Sequence, residues 1–261
     1  MSKAKREFVT TLRMAMWGGL ALLVLSIVLG AMQRKSSAYV SDIVVAIEPL
    51  EQGNFLISEE DIPKLLEVRF AQPLTTFPVG EVNIERLERV LEEDPFVKSA
   101  EAYVDAQNRV HIEIVQRKPL LRIIDNNDLN YYLDIAGEQM PPSTHYAARV
   151  RVVTGNLPPY EAHIISRGDN LLADVFELNE LLRRDEFLDA LVEQIYVNKR
   201  GELILSPKIG QQTILFGRFQ NAADKLQRLK DFYREGLAYK GWQAYESFDL
   251  RYAGQVVCKK R

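Results

Sequence analysis

The stretch Asp94–Pro119, DPFVKSAEAYVDAQNRVHIEIVQRKP, sets the fold class. It opens on Asp94-Pro95, a stop signal, because the residue before a proline resists helical dihedrals. Two runs of strand-forming residues follow, Val97–Asp105 and Arg109–Gln116, separated by the turn Ala106-Gln-Asn108. In the second run Val110, Ile112 and Ile114 share one face, while His111, Glu113 and Val115 share the other. That period of two predicts a hairpin with one buried side. Upstream, Asn83 is placed to cap a helix in which Ile84, Leu87, Val90 and Leu91 form a single apolar stripe. Before it, Ser58-Glu-Glu-Asp61 reads as another helix start, with Ser58 as N-cap and an acidic first turn. Pro63 is tolerated because it lies so early in that helix. The β-branched run Asp42–Glu48 reads as a strand. The order is β-α-α-β-β: two helices that must bury their stripes on a small sheet. This unit is expected to span residues 42–119.

Further toward the N-terminus, residues 14–32 read MAMWGGLALLVLSIVLGAM, an uncharged run. As a helix it extends roughly 28 Å, close to the thickness of a bilayer core. Its leucines, isoleucine and valines favour insertion by about 4 kcal/mol in all, part of which Gly18, Gly19 and Ser26 give back. The run is longer than the core of a cleavable signal peptide, so a retained transmembrane helix is expected. Lys3, Lys5, Arg6 and Arg13 precede it, and Arg34 and Lys35 follow closely. The positive-inside rule then leaves residues 1–13 as a cytoplasmic tail and puts the bulk of the chain outside, beyond a short linker at 33–41.

Downstream, residues 120–261 read as a second unit, a mostly antiparallel sheet with two helices. Leu120–Ile124 and Leu129–Ile135 pair across the turn-forming run Asp125–Asp128. Arg149–Thr154 is a further strand. Asn170–Arg184 is an amphipathic helix that points Leu171, Leu172, Val175, Leu178 and Leu182 inward. Val192–Val197 and Glu202–Leu205 form a hairpin around Asn198-Lys-Arg-Gly201, and Gln212–Phe216 is another strand. A helix with Ala222, Leu226, Leu229 and Tyr233 inward comes next. Two last strands, Glu246–Tyr252 and Gln255–Lys259, flank Ala253-Gly254. The fold class is therefore α+β, behind an N-terminal transmembrane helix.

Composition narrows the function. Among 261 residues, 33 Lys and Arg against 36 Asp and Glu give a net charge of −3, which argues against a nucleic-acid binder. Cys258 is the single cysteine, so no intramolecular disulfide forms. The three histidines, His111, His145 and His163, show no metal-binding spacing. No nucleophile elbow, phosphate-binding loop or dinucleotide fingerprint occurs. Glu92-Glu93-Asp94 is a carboxylate cluster that reads as a solvated helix end rather than an acid–base pair. Lys259 and Lys260 beside Cys258 favour its thiolate, but the cysteine reads as an ordinary strand residue. No enzyme activity, no cofactor and no small-molecule substrate are expected.

The ordered set of motifs resembles a known family. A membrane-proximal β-α-α-β-β unit ending in Asp94-Pro-Phe-Val97, an alternating hairpin and Gln116-Arg-Lys-Pro119 is similar to the POTRA domain of the bacterial division family FtsQ/DivIB. This chain carries Asp94 and Gln116 where that family shows Asn and Glu. Tyr132-Leu-Asp134 with Gly137, then Thr154-Gly155, then Asp249-Leu-Arg-Tyr252 with Gly254-Gln-Val-Val257 follow the order of the family's β-domain. The resemblance implies a non-enzymatic divisome scaffold in the inner membrane at the septum. Its implied partners are small single-span coiled-coil proteins of the FtsB and FtsL type.

The last strand is the expected site. A strand that ends a chain often lies at a sheet edge, where a partner segment can add a strand and a basic tip favours acidic residues on it. The same lysines equally serve to protect a bare edge. The resemblance assigns FtsB contacts to Arg251, Tyr252 and Gly254, with Gln255 and Val256 next in the strand, and Tyr252 as the anchor. Glu85, Arg86, Glu88 and Arg89 are candidates for a second recruitment face on the helix that Asn83 caps. Two other readings remain open: a POTRA-containing secretion or assembly component, and a membrane-anchored envelope enzyme.

Overall fold

The computed structural model describes residues 16–20, 22–26, 37–127, 129–237 and 244–261. Residues 16–20 and 22–26 are helical. The rest of the expected 14–32 span, the 1–13 tail and residues 33–36 of the linker lie outside the described residues. Among the described residues no helix is long and apolar enough to cross a membrane. The chain divides into two compact units, one of residues 1–49 and 57–116, the other of 50–56 and 117–261. Residues 50–56, inside the expected first domain, thus group with the second unit.

The first unit has the expected order: β1 (Asp42–Glu48), α1 (Asp61–Phe70), α2 (Ile84–Glu92), β2 (Val97–Val104) and β3 (Arg109–Gln116). The sheet runs β1-β3-β2, with β1 parallel and β2 antiparallel to β3. Ile62 and Leu66 of α1 and Leu87 and Leu91 of α2 are fully buried with Val97, Val110, Ile112 and Ile114. The helical and strand periodicities therefore converge on one core. Asn83 caps α2 as expected, its Oδ1 accepting the Arg86 N–H at 2.8 Å. Ser58 is not the N-cap of α1, which makes no side-chain cap hydrogen bond. Instead, the Asp61 carboxylate accepts from the Ser58 hydroxyl at 2.6 Å and from its N–H at 3.2 Å. The acid of the first turn reaches back and ties down the incoming chain.

The carboxylates of α2 also guard an edge. The Glu88 carboxylate accepts the Ala102 N–H of β2 at 2.8 Å, and that of Glu92 accepts the Ala100 N–H at 3.4 Å. An edge strand whose outward donors are satisfied in this way is a poor template for a further strand.

The second unit comprises β4 (Pro119–Asp125), β5 (Asn130–Asp134), β6 (Gln139–Met140), β7 (Arg151–Gly155), α3 (Ile164–Arg167), α4 (Leu171–Arg183), α5 (Glu186–Leu191), β8 (Val192–Val197), β9 (Leu203–Pro207), β10 (Thr213–Gly217), α6 (Ala222–Asp231), β11 (Tyr245–Asp249) and β12 (Val257–Lys260). The strands form one sheet in the order β12-β11-β10-β9-β8-β7-β4-β5-β6. Five of the eight neighbouring pairs are antiparallel; β4 with β7, β7 with β8, and β10 with β11 are parallel. Two of the parallel pairs are joined by helical crossovers, as a parallel connection requires. Four helices stand here among the described residues, not the expected two. The six-residue α5 follows α4 after one break at Asp185, whose carboxylate caps it, and α3 has four residues. Both are too short for a helical stripe to show. α4 buries Leu172, Val175, Leu178 and Leu182, and α6 buries Leu226 and Leu229, against Val153, Ile195, Leu205, Ile214 and Phe248 of the sheet.

Candidate partner-binding edge

Among the described residues β12 has β11 as its single neighbour and so forms one rim of the nine-stranded sheet. Register places Asp249 opposite Val257, Phe248 opposite Cys258 and Ser247 opposite Lys259. The Arg261 N–H donates to the Ala244 carbonyl at 3.2 Å, and the Leu250 N–H donates to Leu215 of β10 at 3.0 Å. Backbone groups alternate sides along a strand. Val257 and Lys259 therefore turn their N–H groups toward β11, and Cys258 and Lys260 turn theirs outward. Among the described residues no side-chain acceptor meets those outward donors, in contrast to the guarded edge of β2. On the other axis, the Val256 and Cys258 side chains pack against the core, while Val257 is 42% exposed.

The two last strands are shorter than expected, and the link between them is longer. β11 stops at Asp249 and β12 starts at Val257, so the connection is the seven-residue loop 250–256 rather than a turn at Ala253-Gly254. Arg251, Tyr252, Gly254, Gln255 and Val256 all lie in that loop, which corrects the placement of Arg251, Tyr252, Gln255 and Val256 in strands.

Two arginines account for the break. The Asp249 carboxylate accepts from the Arg251 N–H at 3.0 Å, from its Nε at 2.9 Å and from its Nη2 at 2.6 Å. This fold-back turns the chain out of the β ladder. The Arg251 guanidinium holds the Asp249 carboxyl below the usual carboxylate range and is itself pushed up by that carboxylate. Glu202 lies 3.7 Å from Arg251 Nη1. Gly217, at φ +76°, leaves room for the arginine stem, since a Cβ there would stand 2.7 Å from Arg251 Cγ.

Arg228 of α6 holds the other side. Its Nη1 donates to the carbonyls of Tyr252 at 2.9 Å and Gln255 at 2.5 Å, its Nη2 reaches that of Leu250 at 3.4 Å, and Asp224 steadies its Nε at 2.9 Å. The five-donor fork suits such a cradle of carbonyls. The sequence reading missed Arg228. Its i,i+4 spacing from Asp224 was visible, but nothing in the chain's order said that it reaches a loop 24 residues on.

The loop's backbone is thus held from inside, and its outer side chains face water. Tyr252 is 52% exposed. Gly254, at φ +71°, has open space where a Cβ would stand.

Other candidates disperse. Glu88 is engaged with β2, and the Arg86 guanidinium lies 4.8 Å over the Phe70 ring, so only Glu85 and Arg89 of the proposed recruitment face stay unengaged by these contacts. In the carboxylate cluster, Glu92 bonds Ala100, Glu93 lies 3.5 Å from Arg69, and Asp94 accepts the Phe96 N–H at 2.9 Å. The His111 Nε2 lies 2.9 Å from Asp105, and His163 pairs with Glu138 at 3.2 Å. Among the described residues no group of three or more His, Cys, Asp or Glu is placed to hold a metal ion. Burial pushes the Cys258 thiol up, which opposes the activation that its lysine neighbours suggest.

Comparison with known families decides the identity of the scaffold. The family model described as "FtsQ/DivIB, C-terminal related" matches residues 118–259, more than half of the chain. The chain belongs to the FtsQ/DivIB family. A POTRA-like domain matches residues 40–115, which take in all five elements of the first unit except Gln116, the last residue of β3. No curated protein sequence matches significantly. Membership of FtsQ/DivIB makes this a cell-division protein with a scaffold role, associated with the septal membrane.

Proposed function

We propose that this FtsQ/DivIB protein is a non-enzymatic, single-span divisome scaffold that captures a partner of the FtsB type by strand addition at β12. In this reading residues 14–32 anchor the chain with its N-terminus in the cytoplasm, and the POTRA domain and β-domain act outside. FtsB-type and FtsL-type proteins are thereby linked to septal wall synthesis. The observation that carries the reading is the contrast between two edges: β2 has the outward donors of Ala100 and Ala102 met by Glu92 and Glu88, and β12 leaves those of Cys258 and Lys260 to a newcomer. An incoming strand satisfies them with main-chain bonds, and side-chain contacts set its identity.

Tyr252 supplies such a contact as an exposed aromatic beside the rim, the residue type that anchors interfaces. Lys259 already pairs with Glu246 at 2.8 Å. Lys260 has no ion pair among the described residues, so the tip favours an acidic partner.

Pull-down of an FtsB-type partner tests this. Tyr252→Ala is expected to weaken capture by about 2 kcal/mol, roughly 30-fold. Val256→Pro restricts the chain at the entry to β12 and is expected to reduce capture further, with the melting temperature of both variants near that of the parent. Undiminished capture by both would rule out this rim as the docking site.

A further inference from the structure

A second feature of the β-domain lies along the sheet end at which β4, β7 and β8 begin and β9 finishes. A cleft of about 640 Å³ opens there, lined by five cations, Lys118, Arg149, Arg151, Arg183 and Lys208, against the carboxylates of Glu51, Asp189 and Glu193. Its floor is built. The Arg151 side chain is 5% exposed and donates to the Val192 carbonyl and to Asp189, each at 2.9 Å, and to Asn179 Oδ1. Asn179 is fully buried, and its Nδ2 has no acceptor among the described residues. Burial also lowers the Arg151 pKa, and repulsion from Arg183 adds to that. The outer cations are less committed: Lys118, Arg149 and Lys208 are exposed and form no ion pair among the described residues.

Sheet order fixes the spread of these charges. Lys118 precedes β4, Arg149 and Arg151 mark the start of β7, Asp189 and Glu193 flank the start of β8, and Lys208 follows β9. Those strands are successive neighbours in the sheet. At about 4.8 Å per neighbour, the row from Lys118 to Lys208 spans roughly 14 Å. A single phosphate meets one such cation at a time. An extended peptide of about four residues, at ~3.3 Å each, meets the whole row.

We propose that this cleft is a second binding site of the β-domain, for a short extended peptide rich in carboxylates. Its acidic side chains pair with Lys118, Arg149 and Lys208. The site is independent of β12 and of strand addition.

A fluorescently labelled pentaglutamate, titrated against the full chain in detergent at low ionic strength, tests the proposal. The expected result is saturable binding that a pentaglutamine counterpart does not show. The exposed pair Arg149→Glu with Lys208→Glu is expected to weaken it roughly tenfold or more while the melting temperature holds. The control pair Lys199→Glu with Arg200→Glu changes net charge equally, at the β8–β9 turn, and is expected to leave binding intact. Equal losses in the two pairs would show general charge attraction and overturn the site. Inorganic phosphate binding as tightly as the peptide would overturn the peptide assignment, and so would an absence of saturable binding.

Discussion

Asp249 shows how one carboxylate ends a strand. It accepts the N–H of Arg251 and both arms of its guanidinium, and it is nearly buried. Charge-assisted bonds of this kind contribute about 1–2 kcal/mol. Because its native pKa is depressed, its stabilisation is present above the unfolded value of about 4 and is lost as pH falls through the native value. Asp249→Asn is therefore expected to destabilise the β-domain by about 1–2 kcal/mol at neutral pH in denaturant titrations. The gap between variant and parent should close in acid, and a gap that stays constant with pH would contradict the pairing. Tyr233 makes the opposite case. Burial pushes its phenol up to about 12, and its hydroxyl has no hydrogen-bond partner among the described residues. Tyr233→Phe removes that unmet group and is expected to raise stability by up to about 1 kcal/mol, whereas a clear loss would reveal a partner.

At the scale of elements, the loop 250–256 is a device as much as a connection. Arg228 holds three of its carbonyls, which fixes the entry to β12, the proposed docking strand. Preorganisation of this kind lowers the ordering cost of binding. Arg228→Ala is expected to speed amide exchange across residues 250–256 with little effect on α4 or β8, and to weaken partner capture with it. Unchanged exchange would mean that the loop is held by other contacts.

Elements with strong periodicity were legible in the sequence. The stripe of α2, the alternation of β3 and the helix from 170 to 184 each appear within a residue or so of the expected place. The misses arise where side chains turn the backbone, through local fold-backs at Asp249 and Asp61 and through reaches distant in sequence. Asp249-Leu-Arg-Tyr252 has the pattern of a continuing strand, and its ending depends on Arg228 and on a carboxylate folding back. Ser58 has the composition of an N-cap, and Asp61 takes the role of holding the turn. The row of cations at the sheet end was not visible at all, because Lys118, Arg149 and Lys208 become neighbours only once β9, β8, β7 and β4 are side by side.

For the whole molecule, the two units have separate cores, one built on a three-stranded sheet and the other on a nine-stranded sheet. The POTRA unit guards its β2 edge, and the β-domain carries a bare rim at the far end of the chain. That division suits the proposed role, in which main-chain donors at a rim recruit another chain. The most direct test replaces Tyr252 by a photo-crosslinking residue in growing cells and identifies what is captured on irradiation. The account predicts a small bitopic division protein of the FtsB type, joined through a segment in extended conformation, with the yield falling when Val256→Pro is added. Capture of that protein from a position on α4 with none from position 252 would contradict it.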